Sequence, residues 1–199
     1  MSAEAVEPVA NSYVQLKDGR LDRRGRVGLW EYATRSPAIE LALKGLLDKP
    51  ELAIILEGKS ALRQRIILWG RGPASTNESD GETLSDGSPD PDAELTFQER
   101  KQKARDGVGA EPQIEVFFRI ADHEDLGIFK FQTGSWSMAQ DLARDNAENE
   151  LAHYVDASRS GKVKANLKLE AVEFAAKSSP RAGQLVSYTQ PVLEIKGAA

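Results

Sequence analysis

An imidazole and three carboxylates fall together at Asp122-His123-Glu124-Asp125. Such a set could hold a divalent cation, since carboxylate oxygens suit hard ions and a histidine nitrogen suits zinc. The run lies inside the polar segment ADHEDLG, between two apolar alternations, where a solvated hairpin turn accounts for the same residues. The other histidine, His153, is distant in sequence. Two serines flank Trp136 in TGSWS, but a hydroxyl nucleophile would need His123 or His153 as its base and a G-x-S-x-G turn, and GSWS lacks the closing glycine. Neither GRGPAS nor TGSWS matches a phosphate-cradling GxxxxGK[ST] or GxGxxG loop. The chain has no cysteine, which excludes disulfides, thiolate zinc sites and thiol nucleophiles. These residues nominate no catalytic site, no metal site and no cofactor.

Binding residues are better represented. The run ERKQKAR sets Arg100, Lys101, Lys103 and Arg105 on one short helix, either as a solvated face or as a surface for an acidic partner or phosphates. Lys162, Lys164 and Lys168 form a second basic stripe. Stacking of single-stranded bases would need aromatics turned outward, and Phe117, Trp69 and Tyr188 are the candidates; three scattered rings make no platform, and core packing is the commoner use of such residues.

The elements that must position these groups follow from local pattern. Residues 1–11 have little to bury and are expected to be disordered. Alternation in SYVQL before Asp18-Gly19 suggests the start of a hairpin. Ser36 and Pro37 open a helix carrying Ile39, Leu43, Leu46 and Leu47, which should end before Pro50. The runs LAIILEG and LRQRIILWG read as two strands paired with each other. From Gly70 the composition turns to Ser, Asp, Glu, Gly and Pro with Leu84 as the one apolar anchor, so residues 71–95 are expected to be a flexible acidic insert. Thr96 and Glu99 form a capping box for the helix of ERKQKAR, and Gly107 fits just beyond its end. Ile114, Val116, Phe118 and Ile120 alternate inward, and Phe129 and Phe131 do the same. Gly134 then turns the chain, and Ser137 with Gln140 suggests a second capping box opening one long helix with Met138, Leu142, Leu151, Tyr154 and Val155 on its apolar stripe. In KVKANLKLEAVEF, Val163, Ala165, Leu167 and Leu169 face one way until the apolar phase shifts at Ala171-Val172, which a β-bulge would produce. Pro191 places the last strand at an edge or another bulge.

The sum is an α+β protein with a mainly antiparallel sheet or OB-like barrel, two or three helices, and a single domain over residues 12–199 interrupted by the acidic insert. At 199 residues and 40% hydrophobic content the chain can build a substantial core. It has no apolar run long enough for a bilayer, and MSAEAVEP lacks the pattern of a secretory signal, so a cytoplasmic location is expected. The formal net charge of -5 is concentrated in the insert, which leaves the remainder nearly neutral with basic patches.

The order of segments resembles the phage recombination directionality factor-like proteins that work with large serine integrases. The matching pieces are YVQLKDGRL, LWEYATRSPAIELALKGLL, ALRQRIILWG, DPDAELTFQERKQKARDGVGAEPQIEVFFRIAD, LGIFKFQTGSWSMAQDLA and SPRAGQLVSYTQPVLEIKG, of which the block from Asp90 to Ala143 is the most distinctive; GRLDRRGRVG departs from the family pattern. The resemblance implies a non-enzymatic accessory protein in the bacterial host's cytoplasm that binds a large serine integrase, meets DNA only through it, and turns it from integration (attP with attB) to excision (attL with attR). Under this reading Arg100, Lys101, Lys103 and Arg105 are candidate partner-binding residues, with Trp136 a second candidate. The competing reading is a single-stranded DNA-binding accessory of phage replication or repair.

Overall fold

The structure, a computed structural model, describes residues 12–16, 30–33, 39, 49–68, 77–175 and 183–199. The Asp18-Gly19 turn, Trp69, the N-terminal eleven residues and the helix expected after Ser36 lie outside these. Ile39 alone of that helix is described; it is helical and packs against the core.

Nine strands among the described residues form the sheet: β1 (Ser12–Leu16), β2 (Trp30–Ala33), β3 (Glu51–Glu57), β4 (Leu62–Leu68), β5 (Asn77–Ser79), β6 (Glu111–Ile120), β7 (Phe129–Thr133), β8 (Lys162–Ala175) and β9 (Leu185–Ala198). The helices are α1 (Phe97–Arg105), α2 (Trp136–Arg144) and α3 (Ala147–Ala157). Strand order is β2-β1-β7-β6-β3-β8-β9, with β4 on β6 and β5 on β4. Every pairing is antiparallel except β1 with β7. The fold is α+β, as the order of helical and alternating segments predicts, and among the described residues its main strand path runs from β2 to β9, with β4 and β5 branching from β6.

Alternation puts Ile114, Val116, Phe118 and Ile120 of β6 on one face, with Phe129 and Phe131 of β7, Leu52, Ile54 and Leu56 of β3, and Val163 to Leu169 of β8. Met138 and Leu142 of α2 and Ala147 and Leu151 of α3 close this face into one apolar cluster. Phe118 and Phe129 stack at its centre, with ring centroids 5.8 Å apart.

Several local expectations are corrected. β3 and β4 do not pair with each other: Ile54 faces Ile120 and Leu62 faces Val116, so both strands lie along β6 on either side of the 3-10 turn Lys59–Ala61. Gly58, at φ 77°, makes that bend, and the chain continues along one neighbour instead of folding back. The long helix is two helices. Its apolar stripe steps by four from Met138 to Leu142 but by five to Ala147, and Asn146, left-handed at φ 53°, absorbs the difference. The cap of α2 is Ser135, whose Oγ accepts from the Met138 amide at 3.3 Å, while Ser137 sits inside the helix with its hydroxyl 3.0 Å from that of Ser135. The β8–β9 register breaks between Lys164 and Ala165, not at Ala171-Val172, and Lys196 is the extra residue on β9.

Residues 77–95, within the expected acidic insert, carry local structure: β5 is followed by the bridges Ser79 with Leu84 and Thr83 with Pro89. Apolar burial is scarce there, but polar side chains take its place. Asp80 Oδ1 accepts from the amides of Glu82 and Thr83, and Asp86 Oδ1 from that of Ser88. Residues 71–76 of the expected insert lie outside the described ones. No helix among the described residues is long and apolar enough to cross a membrane.

Candidate partner-binding site

Helix α1 starts as its sequence dictates. Thr96 Oγ1 accepts from the Glu99 amide, and the Glu99 carboxylate accepts from the Thr96 amide at 2.8 Å, a complete capping box. Its basic residues do not share one face. Arg100 and Ala104, one turn apart, point inward. Arg100 donates through Nη1 to Asp90 Oδ2 at 3.1 Å and through Nη2 to the Gly81 carbonyl at 3.0 Å. Asp90 also accepts from Ser79 Oγ at 2.6 Å and from the Asp92 amide at 2.7 Å. The pair is buried, with side-chain exposures of 10% for Arg100 and 6% for Asp90. Burial acts to raise the Asp90 pKa, but the Ser79 hydroxyl, the Asp92 amide and the guanidinium outweigh it and hold the carboxyl below its ordinary 3.8. Lys103 pairs with Asp92. Two of the four cations singled out in the sequence therefore fasten the acidic segment onto α1. Lys101 and Arg105 have no ion pair among the described residues, and Arg105 is exposed.

Trp136, the first residue of α2, is half-buried and meets Phe97 of α1 edge-on, centroids 5.1 Å apart at 84°. The two rings border a cleft of about 380 Å³ floored by Ile114 and Leu142, with Arg65, Arg100 and Asn149 among its polar lining. The cleft brings together Arg100 and Trp136 but not Lys101, Lys103 or Arg105. An apolar floor, two aromatic walls and a polar rim suit an anchoring side chain of a partner. The signal for Phe97 was present in the sequence, since it follows the Thr96 cap, but its partner Trp136 lies across the whole β6–β7 hairpin.

Most of the remaining candidates are engaged elsewhere. Within DHED, the Glu124 carboxylate pairs with Lys162 and its carbonyl accepts from Arg119 at 2.9 Å. Among the described residues no three histidine, aspartate or glutamate side chains are placed so that they could hold one metal ion. Of the second basic stripe, Lys162 meets Glu57 and Glu124, and Lys168 meets Glu194, whose carboxyl the Lys168 and Lys196 ammonium groups hold down to about 2. Lys164 is exposed. Phe117 is buried beneath Arg63 and Lys130, 5.7 and 5.9 Å from its centroid, beside a buried Glu115 that pairs with Arg65 and Lys130. Tyr188 is on β9 against Phe174. Phe117 and Tyr188 stand on strands that are not neighbours, β6 and β9, and Trp69 is outside the described residues.

A family model described as Gp3-like, recombination directionality factor-like, matches residues 38–196. That span contains α1, α2, α3 and every strand from β3 to β8, with β9 up to Lys196. No solved structure matches the chain.

Proposed function

This chain belongs to the recombination directionality factor-like family, and from that premise we propose that it binds a large serine integrase and turns it from integration, attP with attB, to excision, attL with attR, by protein contact. The family match over residues 38–196, which takes in α1 to α3 and the strands from β3 onward, is the observation that carries the reading. A factor of this kind transforms no substrate. It must bind one arrangement of the recombinase better than another, because equal affinity for both shifts nothing. Moving an equilibrium from 1:99 to 99:1 takes about a 10⁴-fold difference, or about 5.5 kcal/mol. A micromolar complex has about 8 kcal/mol in total, so a modest surface suffices if most of it engages one arrangement.

The cleft beside Trp136 and the cations Lys101 and Arg105, of which Arg105 is exposed, supply candidate contacts. Arg100 and Lys103 serve them indirectly, by fixing the acidic segment against α1. DNA is met through the integrase, inside the bacterial host.

The test is recombination in vitro with the purified integrase encoded in the same genetic element, each pair of attachment sites being offered with and without this protein. Reversal of the preferred pair is expected, and an unchanged preference removes the reading. Charge reversal of Lys101 and Arg105 should weaken integrase binding while leaving the melting temperature in place. Salt-sensitive binding to single-stranded oligonucleotides in the absence of integrase would favour the nucleic-acid role instead.

A further inference from the structure

Strands β8 and β9 are each 14 residues long, yet β3 covers β8 only from Lys162 to Lys168. From Glu170 to Ala175 and from Leu185 to Gln190 the two strands pair, among the described residues, with each other alone, as a ribbon beyond the sheet. The register through this ribbon is unbroken: Val172 faces Tyr188 and Phe174 faces Val186. With no bulge at Ala171-Val172, the shift of apolar phase has another meaning. The apolar residues move from the core face, Val163 to Leu169, to the opposite face of the same strand.

That face is partly exposed. Phe174 is 47% and Tyr188 38% exposed, their rings packed edge-to-face at 6.3 Å, with Val172 and Val186 half-buried beside them. The sheet's own core gains nothing from these four side chains, since they point away from it.

Resting on the directionality-factor reading, we propose that the outer face of this ribbon, Val172, Phe174, Val186 and Tyr188, is a docking surface for the recombinase, and that it receives an apolar segment bordered by lysine or arginine. Size and charge select that occupant. Four partly covered side chains offer roughly 200 Å² of apolar surface, given aromatic side chains of about 150–250 Å². A stable interface buries about 800 Å² per partner, so a second copy docked through this face alone would not hold, whereas a larger partner that also engages other surfaces would. Glu170, on the same face, and Glu173, on the reverse face, form no ion pair among the described residues; Lys168, the cation that acts on Glu170, is paired with Glu194. Phosphates are repelled by such a border; a DNA-binding protein, which must carry lysine and arginine, is attracted.

The experiment compares the full chain with two double variants, Phe174→Ser with Tyr188→Ser and Val172→Thr with Val186→Thr, the second keeping shape and strand propensity. Each is assayed for binding to the integrase of the same element, site-pair preference, molar mass in solution and thermal unfolding. At least tenfold weaker binding is expected for the first and a smaller loss for the second, with mass and melting temperature unchanged. Glu170→Lys with Glu173→Lys should weaken binding several-fold and flatten its salt dependence. If the unaltered protein reverses site preference and all three variants bind equally well, the ribbon inference fails alone. If the unaltered protein does not bind the integrase, the functional reading and this inference fail together. An unaltered dimer that becomes monomeric in the Phe174 and Tyr188 variant would make a second copy the occupant and overturn the proposal.

Discussion

Arg100 illustrates how a residue's type can be plain in the sequence and its use hidden. Its partner Asp90 lies ten positions earlier, across the bend into α1, and the pair is enclosed together with Ser79 and Gly81. Removing one member of a buried ion pair leaves the other charge without compensation, which costs about 3–5 kcal/mol. Arg100→Ala should therefore destabilise the protein by about 3 kcal/mol in urea unfolding, with faster amide exchange concentrated in residues 77–95. A charge reversal that included Arg100 would unfold this region and so could not report on partner binding, which is why Lys101 and Arg105 carry that test. The same network gives a pH dependence. Because the Asp90 carboxyl is held below its ordinary 3.8 in the fold, its contribution to stability is present above that pH and is lost as pH falls through the depressed folded value. Glu115, held below its ordinary 4.5 because Lys130 and Arg65 outweigh the effect of burial, acts in the same sense. Melting temperature should accordingly be flat near neutrality and drop below about pH 4, whereas Asp90→Asn should flatten that acid limb. The Thr96 capping box, by contrast, was legible because all its atoms lie within one helical turn.

At the scale of elements, alternation and capping identified β6, β7, β8 and α1 because each signal is complete within its own segment. Pairing was less legible. β3 and β4 look like a hairpin because they are adjacent in sequence, yet β4 pairs along β6, while β3 pairs along β8 and meets β6 only at Ile54 and Ile55. The split between α2 and α3 was written in the five-residue step from Leu142 to Ala147, but only the common core face shows why that step matters. The connection from α1 to β6 depends on Gly109. A Cβ there would lie 2.5 Å from the Ala104 nitrogen and 2.6 Å from the Lys103 carbonyl carbon, both backbone atoms that cannot swing aside. Gly109→Ala should therefore cost about 1–3 kcal/mol through overpacking, measured by denaturant unfolding. An unchanged midpoint would show that the helix end yields more easily than its geometry indicates.

Across the whole molecule, one apolar cluster joins β3, β6, β7 and β8 to α2 and α3. Leu151, fully buried where α3 meets the sheet, belongs to that cluster. Leu151→Ala should lower stability by about 2–5 kcal/mol. Far-ultraviolet and aromatic signals should still fall together in one transition, as expected of a single cooperative core; two separated transitions would show that the sheet and helices do not unfold as a unit. By itself the sequence determined the α+β class, most helix and strand positions, and the family, because patterning, caps and turn residues act over a few neighbours. Only the tertiary structure decided that β3 and β4 share β6, that Arg100 is sealed against Asp90, and that the ribbon's apolar residues face outward. Those outcomes depend on contacts between residues far apart along the chain, whose free energy exists only after the intervening loops have closed.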